Sequence, residues 1–372
     1  MTEPSTLASR LDGKDYCGLG RSDGFSLVEL MVASTVGLLV VGGLVTVFVQ
    51  TGRSNTAMAR LNEQMENGRF AQQLLREDLW HAGFWGEYSP PETAPTALPP
   101  LCTSFSSWTA NDKDNVLRVP VIGSDNNVPA GCDTVVNDRK AGTDVLIVRH
   151  ASTCVADSGT DNNCENFAAN KAYLQVSLCG DDSQAYVMDT DPDGSTVDPF
   201  SLLKRDASGR GCTASGYAAT YADRRKIVSN LYYIGDDDTL RRSELDYESP
   251  SVDQQSAQVL MGGIEHMEVE YGVDTDDDGS ANRFTPDPAT LGDWTVADTG
   301  KVVDTAEEKW ANVVGVRLHL LARSSDPTPG YTDTKTYQLG TTTLEPFNDG
   351  LSRHVYSSFV RLYNISGRRD RP

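Results

Sequence analysis

The chain has 372 residues, and its 32 Lys and Arg against 53 Asp and Glu give a formal net charge of −21. So acidic a chain repels nucleic-acid phosphates, which disfavours a DNA- or RNA-binding role. Apolar residues make up 38% of the sequence, enough to build a core and to disfavour a disordered chain.

The first element in chain order is an apolar segment at residues 25–49 whose single charged residue is Glu29. About 20 apolar residues are enough to span a bilayer as a helix, so we predict a transmembrane segment here. No small-residue cleavage site follows it, which disfavours a cleavable secretory signal. No proline occurs between Pro4 and Pro90, and apolar residues continue at helical spacing. The sequence therefore predicts one helix from residue 25 to about residue 82.

The string GFSLVE at residues 24–29 opens this segment. It resembles the cleavage site of type IV prepilins, in which a prepilin peptidase cuts after the glycine and the new N-terminal phenylalanine is methylated. The resemblance implies that Gly24 and Phe25 are processing residues. It also implies that Glu29 is an assembly residue, which pairs with the terminal amine of a neighbouring subunit. Burying two opposite charges as a pair costs less free energy than burying either charge without a partner.

A second pair of strings, ENGRFA at residues 66–71 and LLREDLWHAGFWG at 74–86, resembles the helix end of PilW-type minor pilins. That family often has a cysteine after the last glycine, whereas Glu87 stands here, so disulfide pairings cannot be transferred from it. The resemblance implies an α+β fold. A long N-terminal helix, half membrane-spanning and half amphipathic, would carry a mostly antiparallel β head.

The expected organisation is a leader at 1–24, a pilin helix at 25–86 with its membrane span at 25–49, a proline-rich linker at 87–100 and an exported β-rich head at 101–372. Short β-branched runs predict the strands of the head. They lie at residues 116–122, 144–150, 172–178, 184–188, 227–234, 258–271, 313–323, 334–339 and 354–363. Alternation of polar and apolar residues in several of them favours antiparallel pairing.

Two acidic loops fit D-x-D-x-D-G, the first half of an EF-hand calcium loop. The candidate ligands are Asp274, Asp276, Asp278 and Asn282 in one loop, and Asp189, Asp191, Asp193 and Asp198 in the other. An all-oxygen ligand set favours calcium as the cofactor. Phe200 and Thr285 occupy the twelfth positions, where an EF-hand has a bidentate glutamate, so we expect weak affinity. The alternative is a solvated acidic turn.

Six of the seven cysteines follow the apolar segment, and an even set suits disulfides in an oxidising compartment. Six cysteines allow 15 pairings. A disulfide that closes the polar stretch 154–164 is the first expectation. Pairing each remaining cysteine with its nearest neighbour in sequence gives the other two disulfides. The expected pairs are Cys102 with Cys132, Cys154 with Cys164, and Cys179 with Cys212.

No catalytic motif points to an enzyme. The one hydrolase-like string, G-x-S-x-G at residues 20–24, lies in the leader instead of between a strand and a helix. The five histidines show no metal-ligand spacing.

The resemblance implies a minor pilin that assembles and initiates type IV pili and lies near the pilus tip. The implied partners are other minor and major pilins, the prepilin peptidase, the inner-membrane assembly platform, a tip adhesin, and membrane lipid before assembly. The implied location is the bacterial inner membrane, with the head in the periplasm, and then the surface pilus, where a role in cell adhesion arises. Two alternatives stay open: a J-type pseudopilin of a type II secretion system, and a signal-anchored surface binding module.

Overall fold

The computed structural model describes residues 24–156, 164–168, 170–179, 182–190, 198–204 and 221–369. The chain divides into two compact units, Met1–Ala57 and Met58–Pro372. We call the second unit the head. It holds all the strands among the described residues, and they pair antiparallel, which confirms the predicted fold class.

Helix α1 runs from Leu27 to His81, a length of 55 residues, close to the predicted range of 25–82. It is long and apolar enough to cross a membrane, and its most apolar stretch is entirely unburied. This assignment uses only the length and composition of the helix, and a signal sequence meets the same criteria.

The head contains two larger sheets and two short strand pairs. The first sheet has β1 (Val121–Ser124), β2 (Val145–Ala151), β3 (Ala172–Val176), β4 (Tyr186–Thr190), β5 (Arg224–Ile234), β6 (Thr239–Glu248), β7 (Ser251–Gln254) and β8 (Gln258–Gly262). The second sheet has β9 (Ile264–Val273), β10 (Arg283–Thr285), β13 (Val313–Arg323) and β16 (Arg353–Arg361). The short pairs are β11 (Trp294–Thr295) with β12 (Val302–Val303), and β14 (Tyr337–Leu339) with β15 (Thr342–Leu344).

The order of the first sheet is β1-β2-β5-β3-β4, with β6 pairing β5, β7 and β8. The order of the second is β10-β9-β13-β16. The described part of the head also has three short α-helices: α2 (Ala110–Arg118), α3 (Ala306–Ala311) and α4 (Tyr363–Ser366).

The predicted strand at 116–122 is partly wrong, because its first residues lie in α2. Thr109 caps this helix: its hydroxyl accepts the Asp112 backbone N–H, and the Asp112 carboxylate accepts the Thr109 N–H in return. Such a capping box favours helix over the residues that follow it. The strand begins only at Val121.

The predicted strand at 258–271 is two strands, β8 and β9, that belong to different sheets. Gly263 separates them and has φ +74°, a left-handed conformation that glycine adopts without steric cost. The chain therefore leaves the first sheet and enters the second at this residue. The predicted strand at 354–363 also ends early, at Arg361, and α4 follows.

The second half of α1 is part of the head core. Its residues Leu75 and Leu79 are fully buried, and they share one continuous cluster with Ile147 of β2, Met267 of β9 and Leu318 of β13. A large buried aliphatic side chain contributes about 1.5–3 kcal/mol of transfer free energy. A fragment of the head must therefore retain the helix from near Gln64, its first buried residue.

Candidate functional site

The three residues predicted for processing and assembly lie together at the start of α1. Gly24 and Phe25 precede the first helical turn, and Glu29 lies within it. All three are exposed, and Phe25 is 86% exposed. The bond between Gly24 and Phe25 therefore lies outside the helix, where backbone hydrogen bonds do not protect it.

The string at 66–71 contacts the strands of the head. The Asn67 amide donates a hydrogen bond to the Gly262 carbonyl at 3.2 Å. Gly68 lies against the ring of Tyr356, and a Cβ atom at residue 68 would come within 2.2 Å of that ring. These contacts explain why asparagine and glycine stand there, a role that sequence reasoning did not assign.

Asp78, in the second string, binds three polar side chains of the first sheet. Its carboxylate accepts hydrogen bonds from Asn230 Nδ2 at 3.1 Å and the Tyr232 hydroxyl at 3.0 Å, and it contacts His150 Nε2 at 3.0 Å. Burial raises the pKa of Tyr232 well above its usual value, so this hydroxyl stays a donor. The carboxylate thus fixes the end of α1 on β2 and β5.

The glycines of the AGFWG string turn the chain out of the helix. Gly83 and Gly86 have φ +71° and +65°. Trp85 between them is 1% exposed, and its indole N–H donates to the Leu117 carbonyl at 2.9 Å. Glycine is the residue that adopts this conformation freely, so the string encodes a sharp helix end with an aromatic anchor.

In the predicted calcium loop at 274–282, Asp274 organises the turn. It is 1% exposed, and its carboxylate accepts backbone N–H bonds from Asp276 at 3.2 Å, Asp277 at 2.7 Å and Gly279 at 2.9 Å. Arg369 Nη1 lies 3.7 Å from the same carboxylate. The loop is therefore held in shape by its own backbone, by Arg369, and by Arg361 Nη2, which donates to the Gly279 carbonyl at 3.3 Å.

The structure brings three of the four predicted ligands of this loop together. Carboxylate oxygens of Asp274, Asp276 and Asp278 lie within 4.8 Å of one another. The fourth, Asn282, instead accepts the Thr275 N–H at 2.8 Å and donates to Asp276 at 3.1 Å. The three carboxylates can hold a metal ion, and Asn282 shapes the loop.

The other predicted loop lies only partly within the described residues, which leave out Asp191 and Asp193. Asp189 lies 3.7 Å from Lys113 Nζ. Asp198 accepts the Phe200 N–H at 2.8 Å and lies 3.5 Å from Arg224. Both described carboxylates thus have partners in the head.

Two of the expected disulfides are present. Cys102 is bonded to Cys132 and Cys154 to Cys164, with Cα separations of 5.1 and 5.4 Å. Cys179 is also disulfide-bonded. Cys212, its expected partner, lies outside the described residues.

A second group of carboxylates has no motif in the sequence. Asp125, Asp144 and Glu268 each place one side-chain oxygen within 4.8 Å of the others. Burial raises the pKa of Asp144 to about 6 and that of Glu268 to about 8. Sequence reasoning missed this group, because Glu268 is more than a hundred residues from the other two.

Two protein-family models match separate parts of the chain. The model of the prokaryotic N-terminal methylation motif matches residues 19–45, and PilW, described as type IV pilus-assembly protein W, matches residues 231–364. The first match covers the string at 24–29, and the second confirms the predicted PilW resemblance in a part of the chain outside the string at 66–86. No curated protein is significantly similar to the chain in sequence.

Among solved structures, a type IV-like pilin from Thermus thermophilus is similar at 11% identity and a TM-score of 0.32, covering 82% of this chain and 98% of that one. The PilW model describes a protein of type IV pilus assembly. The two matched parts of the chain are therefore similar to proteins of the type IV pilus class. The PilW-like part extends from the end of β5 to α4.

Proposed function

We propose that this protein is a minor pilin that takes part in the assembly and initiation of type IV pili. The observation that carries the proposal is the exposed apolar start of α1, which follows Gly24 and Phe25 and contains the single carboxylate Glu29. So large an apolar surface is stable in lipid, or against similar helices of other subunits. Lipid would cover it before assembly, and other minor and major pilins afterwards.

We infer a position near the pilus tip from the size of the head, which spans Met58–Pro372. A subunit repeated along a filament must fit between its neighbours, and so large a head favours low copy number. The disulfides support a periplasmic head, because such bonds persist in oxidising compartments. The prepilin peptidase, the inner-membrane assembly platform and a tip adhesin complete the proposed partners.

Deletion of the gene tests the proposal, with complementation by the wild-type chain as control. We expect the number of surface pili to fall strongly, and immunogold labelling of complemented cells to mark pilus tips. Normal piliation together with a defect in protein secretion would replace the proposal by the type II pseudopilin. Label along the whole filament would contradict the tip position.

We expect cleavage between Gly24 and Phe25. A peptidase must draw this backbone close to its catalytic groups, and any side chain at residue 24 would obstruct it. Gly24→Ala should therefore accumulate as the uncleaved chain, while Ser26→Ala should mature normally. Mass spectrometry of the purified proteins measures the N-terminus, which should be a methylated Phe25 in the wild type. A Gly24→Ala variant cleaved at the same bond would contradict this prediction.

We also propose that the loop at 274–282 binds calcium, with Asp274, Asp276 and Asp278 as ligands. Three close carboxylates repel one another, and a cation relieves that repulsion. We expect a Kd of about 10⁻⁴–10⁻³ M, the range of extracellular modules. The proposal extends to Asp189, Asp191, Asp193 and Asp198 as a second loop.

Calcium should raise the melting temperature of the purified full chain by several degrees, and EDTA should reverse the shift. Asp276→Asn should weaken that response, whereas Asp298→Asn, the same charge change at an exposed residue outside the loop, should not. Equal responses in both variants would show that this loop is a solvated turn.

A further inference from the structure

Asp125, Asp144 and Glu268, which we call the cross-sheet cluster, come from three separate elements. Asp125 directly follows β1, Asp144 directly precedes β2, and Glu268 lies in β9 of the second sheet. Asp144 connects the sheets by hydrogen bonds: its N–H donates to the Met267 carbonyl at 3.0 Å, and its carboxylate accepts the Val269 N–H at 2.8 Å. The cluster therefore lies where the two sheets meet.

Glu268 is 3% exposed, and only one of its two carboxylate oxygens has a hydrogen-bond partner among the described residues. Its Oε2 accepts the Thr342 hydroxyl at 3.1 Å, but its Oε1 has no hydrogen-bond partner among the described residues. His266 Nδ1 lies 3.5 Å from Oε1, and the two atoms form no hydrogen bond. A buried carboxylate oxygen without a hydrogen-bond partner is unfavourable unless a ligand satisfies it.

Most of the charged side chains that act on the cluster are negative. The charges that act on the Glu268 carboxylate are those of Asp144, Asp125 and Glu270, all negative. Arg139 is the cation that acts on Asp144, yet its guanidinium donates to backbone carbonyls, including that of Thr143. The three carboxylates are thus held close together without an ion pair to a lysine or arginine among the described residues.

We propose that the cross-sheet cluster binds a hard divalent cation, and that calcium is the ion it suits. Oxygen ligands favour calcium or magnesium over zinc. Magnesium dehydrates reluctantly and keeps several waters, which disfavours it beside two side chains as buried as Asp144 and Glu268. A bound ion would contact both sheets at once and stabilise their junction. This site is separate from the loop at 274–282.

The test uses the full chain in detergent with Asp276→Asn as background, so that the loop at 274–282 contributes little. Calcium should raise the melting temperature of this background by several degrees and give binding heat in calorimetry, and magnesium should do less. Adding Glu268→Gln should remove the calcium response. The amide retains an acceptor for the Thr342 hydroxyl, so the folded variant should keep its melting temperature in EDTA.

Asp125→Asn is a second, milder variant, since Asp125 is only half-buried. We expect it to weaken calcium binding about tenfold or more, because affinity depends on ligand charge. Glu244→Gln, a charge change on β6 outside the cluster, should bind calcium like the background. The proposal is overturned if the Asp276→Asn chain shows no calcium heat up to several millimolar. It is equally overturned if Glu268→Gln and Asp125→Asn both retain the full response.

Discussion

Replacement of Glu29 by alanine is expected to leave cleavage after Gly24 intact but to abolish incorporation into pili. Alanine inserts into a bilayer more easily than glutamate, whose charge costs about 2.5–3.5 kcal/mol at the bilayer centre. What the variant lacks is a partner for the terminal amine of a neighbouring subunit. A buried charge left unpaired costs about 3–5 kcal/mol. Each 1.4 kcal/mol changes an equilibrium constant about tenfold. Incorporation should therefore fall about a hundredfold or more.

The measurement is immunoblotting of sheared pili against the membrane fraction of the same cells. Glu77→Ala is a matched control, since Glu77 is an exposed glutamate on the same helix. Glu29→Asp keeps the charge and should restore part of the incorporation. Wild-type amounts of the Glu29→Ala protein in sheared pili would show that this carboxylate has no role in assembly.

Replacement of Arg353 by methionine should give the largest loss of head stability. This arginine is 4% exposed at the start of β16, and its guanidinium binds three carboxylates from different parts of the head. It contacts Glu265 Oε1 at 3.1 Å, Asp333 Oδ2 at 3.1 Å and Asp349 Oδ2 at 2.7 Å. Its hydrogen bond lowers the pKa of Asp349 to about 2. Methionine would leave Asp333 buried without this cation, and Glu265 with only Lys140 Nζ at 3.7 Å.

We expect the free energy of unfolding to fall by about 3–5 kcal/mol at pH 7, measured by thermal or denaturant unfolding of the full chain. The difference in the free energy of unfolding between the wild type and the variant should decrease as the pH falls toward 4. Without the arginine the buried carboxyls have raised pKa values, so the folded variant takes up protons that neutralise them.

Arg317→Met on the adjacent strand β13 is the matched control. The Arg317 side chain is 43% exposed, and its nearest carboxylate, Glu270, is 3.8 Å away. This change should lower the free energy of unfolding by about 1 kcal/mol or less, because exposed ion pairs contribute no more than that. A loss of similar size in both variants would mean that the buried network contributes no more than a surface pair.

Helix α1 follows from local sequence alone. Its observed ends, Leu27 and His81, lie within two residues of the predicted ones, because an apolar run, helical periodicity and the absence of proline are properties of neighbouring residues. The same holds for β2 and β13, whose apolar or alternating residues show the pattern of a strand wherever they are placed. The processing string was recognisable for the same reason.

Strand β6 shows where local pattern fails. Its sequence is rich in charged residues, and it was not predicted, yet it pairs with β5, β7 and β8 at the centre of a branched sheet. Backbone hydrogen bonds to three neighbours and a buried Leu240 stabilise it. These partners are supplied by the tertiary fold and outweigh the low strand propensity of the segment.

The polar clusters of the head depend on tertiary structure in the same way. Glu268 meets Asp144, and Arg353 meets Glu265, across 124 and 88 positions of the chain, so no spacing rule connects them. The loop at 274–282 was recognisable because its ligands are consecutive in sequence. Its shape is also set from a distance, by the Arg369 guanidinium near Asp274. Local sequence thus encodes helices, turns and short motifs, whereas burial and long-range charge pairing arise only when distant strands pack together.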